Sequence, residues 1–284
     1  MIYFCADDYG ISVESNHHIE NCLKNSVLNK VSVLPNGEIS DFNKNLPGEG
    51  KTLSLHINLV EGKPLSNPDD INVLVSEDGC FKYSFIGLFL KSISSKKKDF
   101  EKAIYKELKS QIEFWNREMG NGDAILIDSH QHTHMIPLVF KTLMRVIKDE
   151  GIKVDYIRIP AEPIFPYLLT PSLYFSYSIK GVVKQWILKF FSLINKNELK
   201  KSKIDYGYFM GVMFSGKLDE QKINKILPHY IKIAEKNKRS IEIGFHPGYF
   251  DNEEMTFGIR GGFKKFYLSP WRKKEHDTLM NFKI

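Results

Sequence analysis

The sequence predicts an α/β fold, a distorted barrel of about seven parallel strands, and three observations carry that expectation. Short β-branched and aromatic runs alternate with longer segments of helical period along the 284 residues, the pattern of repeated βα units. The length suits one α/β barrel, a fold of about 250 residues. Polar signatures recur at the C-terminal ends of the predicted strands, the face on which barrel enzymes gather their chemistry.

In chain order, strands are expected at residues 2–6, 31–35, 53–57, 124–128, 156–160, 208–214 and 241–246. The first follows the N-terminus directly. It has no basic leader and too short an apolar run for a signal peptide, so it reads as a buried strand. Helices are expected at 15–29, 99–119, 137–150, 219–236 and 270–282, the last closing the chain. The second shows the pattern: Ile104, Leu108, Ile112 and Trp115 fall on one face at helical spacing. One domain, 1–284, is expected, with insertions around 61–95 and 161–201 near the barrel mouth. In the second insertion Val183, Trp186, Ile187, Phe190, Phe191 and Ile194 form an apolar stripe flanked by Lys184, Lys189 and Lys196. It is too short to span a bilayer, which needs about 20 apolar residues. The stripe reads as a helix packed on the core. The sharper alternative is a lid, a homodimer surface or an interfacial helix receiving a lipid-linked or aromatic substrate at a membrane surface.

A hydrophobic fraction of 42% and a charged fraction of 26% are globular values, so the core needs no disulfides. Cys5, Cys22 and Cys80 are odd in number and widely spaced, without a C-x-x-C pair. They fit a reducing, cytoplasmic location. The net charge of +6 is spread over lysine-rich segments such as 96–98 and 196–203 and reads as solvated surface. With neither a stacking motif nor a basic stripe, nucleic acid is set aside as a partner.

Four signatures carry chemistry: Ala6-Asp7-Asp8-Tyr9-Gly10, Leu55-His56-Ile57-Asn58-Leu59, Asp128-Ser129-His130-Gln131-His132-Thr133-His134 and Phe245-His246-Pro247-Gly248. In a parallel barrel these strand ends converge. Asp7 and Asp8 are adjacent and point in different directions on a strand, so a division of labour is expected: one carboxylate binds a metal, the other accepts a proton from attacking water. His56 and the His130, His132, His134 series supply imidazoles. Two imidazoles and one carboxylate leave positions open for water and substrate, as a catalytic divalent cation requires. Such an ion acidifies bound water and polarises an amide carbonyl. His246 is then a candidate general acid for a departing amine. Each element has a plainer reading: His56 as a core histidine, the aspartates as helix caps, His132 and His134 as residues that orient ligands or touch substrate, His246 as a turn marker. Their conjunction at one mouth favours the site. His17, His18, His229 and His276 lie in predicted helices without a partner pattern and are left out of it.

These motifs, in this order, resemble the YdjC-like carbohydrate deacetylases, the group that includes chitooligosaccharide deacetylase and the hopanoid-associated deacetylases. The resemblance spans most of the chain. Its elements are Ala6-Asp7-Asp8-Tyr9-Gly10-Ile11-Ser12, Leu55-His56-Ile57-Asn58-Leu59 followed by Gly62-Lys63-Pro64-Leu65, Asp128 to His134, and His246-Pro247-Gly248. It implies a distorted barrel of the glycoside hydrolase/deacetylase kind, one divalent cation (Mg2+ or Zn2+) and removal of acetyl from an N-acetylated sugar. Carried onto this sequence, it implies Asp7 as base and Asp8, His56 and His130 as metal ligands. The residues alone do not choose His130 over His132 or His134. Cys5 before Ala-Asp-Asp and Gln131 in place of a further histidine depart from the commonest pattern without removing a ligand. Arg158, in Arg158-Ile159-Pro160-Ala161-Glu162-Pro163, is expected to hold Asp7 or a substrate oxygen, or to form a structural salt bridge.

Two rival readings remain. His132 and His134 form an H-x-H pair, as in a two-metal amidohydrolase or phosphoesterase, although few further ligands are in view for a second ion. A sugar-binding relative without catalysis has no need of a base beside a metal. A glycosidase requires carboxylates facing one another about 5–9.5 Å apart, which adjacent aspartates do not provide.

Overall fold

Every predicted β run forms a strand in the computed structural model, which describes residues 1–37, 50–119, 124–214, 216–250 and 261–283. The strands are β1 Ile2–Tyr9, β2 Lys30–Val33, β3 Thr52–Ile57, β4 Ile125–Ser129, β5 Val154–Ile157, β6 Tyr208–Met210 and β7 Ile241–Phe245. All pair in parallel, in the order β5-β4-β3-β2-β1-β7-β6. Parallel neighbours need long crossovers. These contain helices α1 Val13–Asn25, α2 Phe85–Ser92, α3 Lys97–Glu118, α4 Pro137–Asp149, α5 Phe165–Leu168, α6 Ile179–Ser202 and α7 Glu220–Asn237, and α8 Gly261–Tyr267 and α9 Pro270–Asn281 follow β7. The edge strands β5 and β6 do not pair, but Asp205, just before β6, bridges Tyr156 and accepts from the Ile157 N–H at 3.0 Å. The sheet is therefore a curled half-barrel drawn toward closure.

The predicted face of α3 packs inward, with Ile104, Leu108, Ile112 and Trp115 all buried. The strand faces explain the site. Strands of a parallel sheet covered on both sides usually read as continuous apolar runs. Here β3 alternates, Leu53-Ser54-Leu55-His56-Ile57, with the leucines and Ile57 in the apolar core and Ser54 and His56 bonded to Asp128. The barrel interior is thus polar. One strand is shorter than expected: β6 stops at Met210 rather than 214, because the buried Glu162 carboxylate accepts the N–H groups of Gly211, Val212 and Met213 and draws the chain out of the sheet.

The apolar stripe of α6 splits. Phe191 is buried, but Val183, Trp186, Phe190 and Ile194 are exposed, and the packed face runs through Gly181, Gln185, Leu188, Phe191, Asn195 and Leu199. Core contact is therefore made by the opposite side of the helix from most of the stripe. Polar Gln185 and Asn195 serve that contact by bonding the Glu162 and Met135 carbonyls.

Candidate functional site

The two adjacent aspartates both reach the interior because the strand that carries them is irregular. Ala6 pairs with Val31 and Tyr9 with Val33, so β1 spends one residue more than β2 over this interval, a bulge. Asp8 takes the left-handed conformation with φ 71°, a strain of about 1–3 kcal/mol for a non-glycine residue. The simple alternation of a strand no longer applies, and Asp7 and Asp8 enter different environments on the same side of the sheet. Neither caps a helix; Ser12 caps α1 through the Ser15 N–H.

Asp7 joins a buried ionic network. Arg158 grips both its oxygens, at 2.7 and 2.8 Å. The same guanidinium bonds Glu242 at 2.6 Å and lies 3.1 Å from Asp128, and Lys30 bonds Glu242 at 2.8 Å. Burial opposes ionisation of Asp7, but Arg158 and His56 outweigh it and hold its pKa below the ordinary carboxylate value. Three carboxylates thus share two cations with no exposure to water at Lys30, Asp128, Arg158 or Glu242. Cys5 and Glu242 with Asp128, and Asp7 and His56 with Asp128, also sit at ligand distance from one another. Arg158 and Lys30 already neutralise those carboxylates, so the arrangement is that of an ion-pair network.

Asp8 faces two imidazoles. His56 places Nδ1 2.6 Å from Asp128, leaving Nε2 buried, without a hydrogen-bond partner and 3.6 Å from Asp8 Oδ1. His130 places Nδ1 2.8 Å from Asp8 Oδ1 and Nε2 3.0 Å from Glu61. Each ring therefore has a carboxylate on its far nitrogen, the arrangement that orients metal-binding histidines. Burial disfavours charge on His130, yet Asp8 and Glu61 raise its pKa to about 10. Burial likewise opposes ionisation of Asp8, and His130 and Arg272 hold it well below the usual range. One ligand atom from each of Asp8, His56 and His130 lies within 4.8 Å of the others. An ionised Asp8 with His56 and His130, once the two rings have given up the protons that their carboxylates favour, fits a divalent cation, and the unpartnered His56 Nε2 is an atom such an ion would satisfy.

The local sequence explains how these groups are held. Asn58 accepts the N–H groups of Val60 and Glu61 and donates to the Glu61 carbonyl, bending the chain so that Glu61 returns to His130. Gln111 of α3 bonds both backbone groups of Asn58. Tyr267 of α8 donates to Glu61, and Arg272 of α9 bonds the second oxygen of Asp8 and the Gly248 carbonyl.

The remaining histidines separate. After β4 the chain turns through Gln131 and His132, both left-handed at φ 54° and 62°, and among the described residues the H-x-H pair of the two-metal rival is not in a group that could hold an ion. His134 is fully buried, bonded by Ser129 at Nδ1 and by the Arg158 carbonyl at Nε2. Burial lowers its pKa to about 4, so it is neutral and ties β4 to the arginine. His132 packs edge-on to Phe209 and leaves Nδ1 buried without a partner. His246 stands at the end of β7, beside β1, but its Nδ1 lies 3.5 Å from Glu275, and among the described residues it forms no hydrogen bond to the Asp8 cluster. Half-buried Lys184 of α6 makes no ion pair among the described residues; burial lowers its pKa to about 8 against the pull of Asp7, Asp8 and Glu162. Sequence reasoning did not assign Glu61, Asp128, Lys184, Glu242, Tyr267 or Arg272. Strand alternation signalled Asp128 and Glu242; Arg272 was hidden in a basic run.

Fold and site together define a class: a curled parallel α/β half-barrel with one carboxylate and two imidazoles gathered at the strand ends. A family model described as YdjC-like protein matches residues 1–284, and the chain belongs to that family. It is 25% identical over 286 aligned residues to a carbohydrate deacetylase of Clostridium beijerinckii, covering 98% of this chain and 91% of the relative. A carbohydrate deacetylase of Danio rerio is 31% identical over 160 residues, 55% of this chain and 49% of that protein. Among solved structures, an Enterococcus faecalis V583 protein provisionally described as a cellobiose-phosphate cleavage protein aligns with a TM-score of 0.62 at 16% identity, over 99% of this chain and 90% of its own. That likeness bears on the fold alone.

Proposed function

We propose that this chain is a metal-dependent carbohydrate deacetylase that hydrolyses the amide of an N-acetylated sugar. The observation that carries the reading is His56 Nε2, buried and unpartnered beside Asp8 Oδ1 and His130. The names of the curated relatives supply the substrate class. Asp8, His56 and His130 are the residues that hold a single divalent cation, magnesium or zinc. When bound, such a cation polarises the amide carbonyl and acidifies water at the site.

Asp7 is the base. Arg158 keeps it ionised and fixes both its oxygens, so it is ready to accept a proton from the attacking water. His246 delivers a proton to the departing amine, and Glu275, which accepts the His246 backbone N–H, holds the chain that carries the ring. His132 and Lys184 are assigned to sugar contact on the α6 side, each with a polar group not taken by another side chain among the described residues.

The test is acetate release from a panel of N-acetylated sugars, free and lipid-linked, by metal-loaded wild type and by Asp7→Asn. Wild type is expected to release acetate, and the variant to be slower by about 10²–10⁴-fold, the contribution of a positioned base, with the metal content per chain retained. Equal loss of metal would move Asp7 into the ligand set. Silence of the metal-loaded wild type across the panel would transfer the site to another amide or ester, or to sugar binding alone.

A further inference from the structure

Apart from Met1 and Val13, every exposed large apolar side chain among the described residues lies within 86–93 or 165–194. On α6 these are Ile179, Val183, Trp186, Phe190, Leu193 and Ile194. Their spacing of i, i+4, i+7, i+11, i+14 and i+15 makes a single stripe at about 100° per residue. This stripe is distinct from the face packed on the barrel, so α6 is apolar on two opposite sides. Beside it, α2 packs on Phe191 through Phe85 and Phe89, ring centroids 6.2 and 5.0 Å away. It brings a second exposed stripe of Ile86, Leu90 and Ile93. A soluble protein rarely leaves so concentrated an apolar surface without a partner.

Charge identifies the partner. Residues 179–202 contain six lysines and one acidic residue, Glu198. By helical spacing Lys180 borders the stripe on one side, and Lys189, Lys196 and Lys200 border it on the other. Two copies pairing through this face would set lysines against lysines across a symmetry axis, an arrangement that like-charge repulsion opposes. Acidic headgroups above acyl chains match it on both counts: lysine stems cover apolar surface while their ammonium groups reach outward, and Trp and Phe enter the interface. No helix among the described residues is long and apolar enough to cross a membrane, which leaves a helix lying in the interface plane.

We propose that the exposed stripe of α6, with α2 beside it, docks on the surface of an anionic lipid bilayer. The opposite side of α6 is fixed to the site. Gln185 bonds both backbone groups of Glu162, and Gly181 sits where a Cβ would come within 2.5 Å of the Met213 carbonyl. Docking therefore holds the barrel mouth beside the headgroups, where a sugar carried on a lipid is presented. The docking is independent of the deacetylase reading and is measured without turnover.

The test is co-sedimentation of the full chain with vesicles of phosphatidylcholine alone or mixed with phosphatidylglycerol. Binding is expected to the mixed vesicles, to weaken with added salt, and to fall by about tenfold or more in Trp186→Glu/Phe190→Glu. Circular dichroism and acetate release from a soluble substrate should match wild type in that variant. Failure to sediment with either vesicle, or binding indifferent to the double substitution, overturns the proposal. So does a dimer in sedimentation velocity that the same substitutions convert to monomer, since the face then pairs two copies.

Discussion

The barrel interior and the outer face of α6 both reverse the usual partition of polar and apolar groups, and they do so in opposite senses. Inside, Lys30, Asp128, Arg158 and Glu242 are fully buried, and each is answered by a partner within 3.1 Å. Outside, Trp186 and Phe190 are 60% and 59% exposed with no part of the described chain covering them. The interior charges thus complete one another and set the position of Asp7. The outer residues are incomplete within the chain. A buried anomaly that is satisfied reports on how a site is held; an exposed one that is unsatisfied reports on what the protein meets.

The sharpest way to break the comparison is to remove the cation at the centre of the interior. Arg158→Met keeps the length of the side chain but leaves Asp7, Asp128 and Glu242 with only Lys30 and the His56 imidazole. Stranding buried carboxylates in this way is expected to cost about 3–5 kcal/mol, read as a lower denaturation midpoint in urea. A loss below 1 kcal/mol would show that water or a counter-ion already shares the load. Lys30→Met should fail in the same direction, because it too bonds Glu242.

A smaller effect is expected one layer away, where carboxylates back the imidazoles. Glu61→Ala removes the acceptor on His130 Nε2, and such a change costs about 10–100-fold in metal affinity. His130→Ala should lower occupancy further. His134→Ala, although only four residues along, should leave occupancy largely intact, since both its nitrogens are committed to Ser129 and the Arg158 carbonyl. Metal titration of the three variants by calorimetry separates these outcomes. If His134→Ala rather than His130→Ala empties the site, the ligand set is wrong.

Much of this was legible in the sequence, and what was hidden had a physical reason. Seven β runs and the α3 face were visible because burial imposes a period. Asp7, Asp8, His56 and the His130, His132, His134 series were visible because a barrel carries strand ends to one mouth. Which of His130, His132 and His134 stands beside Asp8 was hidden. It depends on two left-handed residues, Gln131 and His132, and non-glycine residues give little sign of that conformation. Arg272 and Tyr267 were hidden because they reach the site from helices after β7, with no motif around them. The division of the α6 stripe was hidden for a different reason: helical spacing shows that apolar residues share a side, not which side meets the core.

Phe190 and Phe191 put that last point to the smallest and cleanest test. They are neighbours on one helix, yet the first is 59% exposed and the second 2%. Phe191→Ala opens a cavity against Phe85 and Phe89 and should cost about 3–5 kcal/mol. Phe190→Ala removes a ring of the same size from the surface and should change stability by no more than about 0.5 kcal/mol, while weakening attachment to anionic vesicles. Equal destabilisation by the two substitutions, measured by urea denaturation of the isolated chain, would mean that something already covers Phe190 in solution. The outer face would then belong with the interior, as a surface the protein completes by itself.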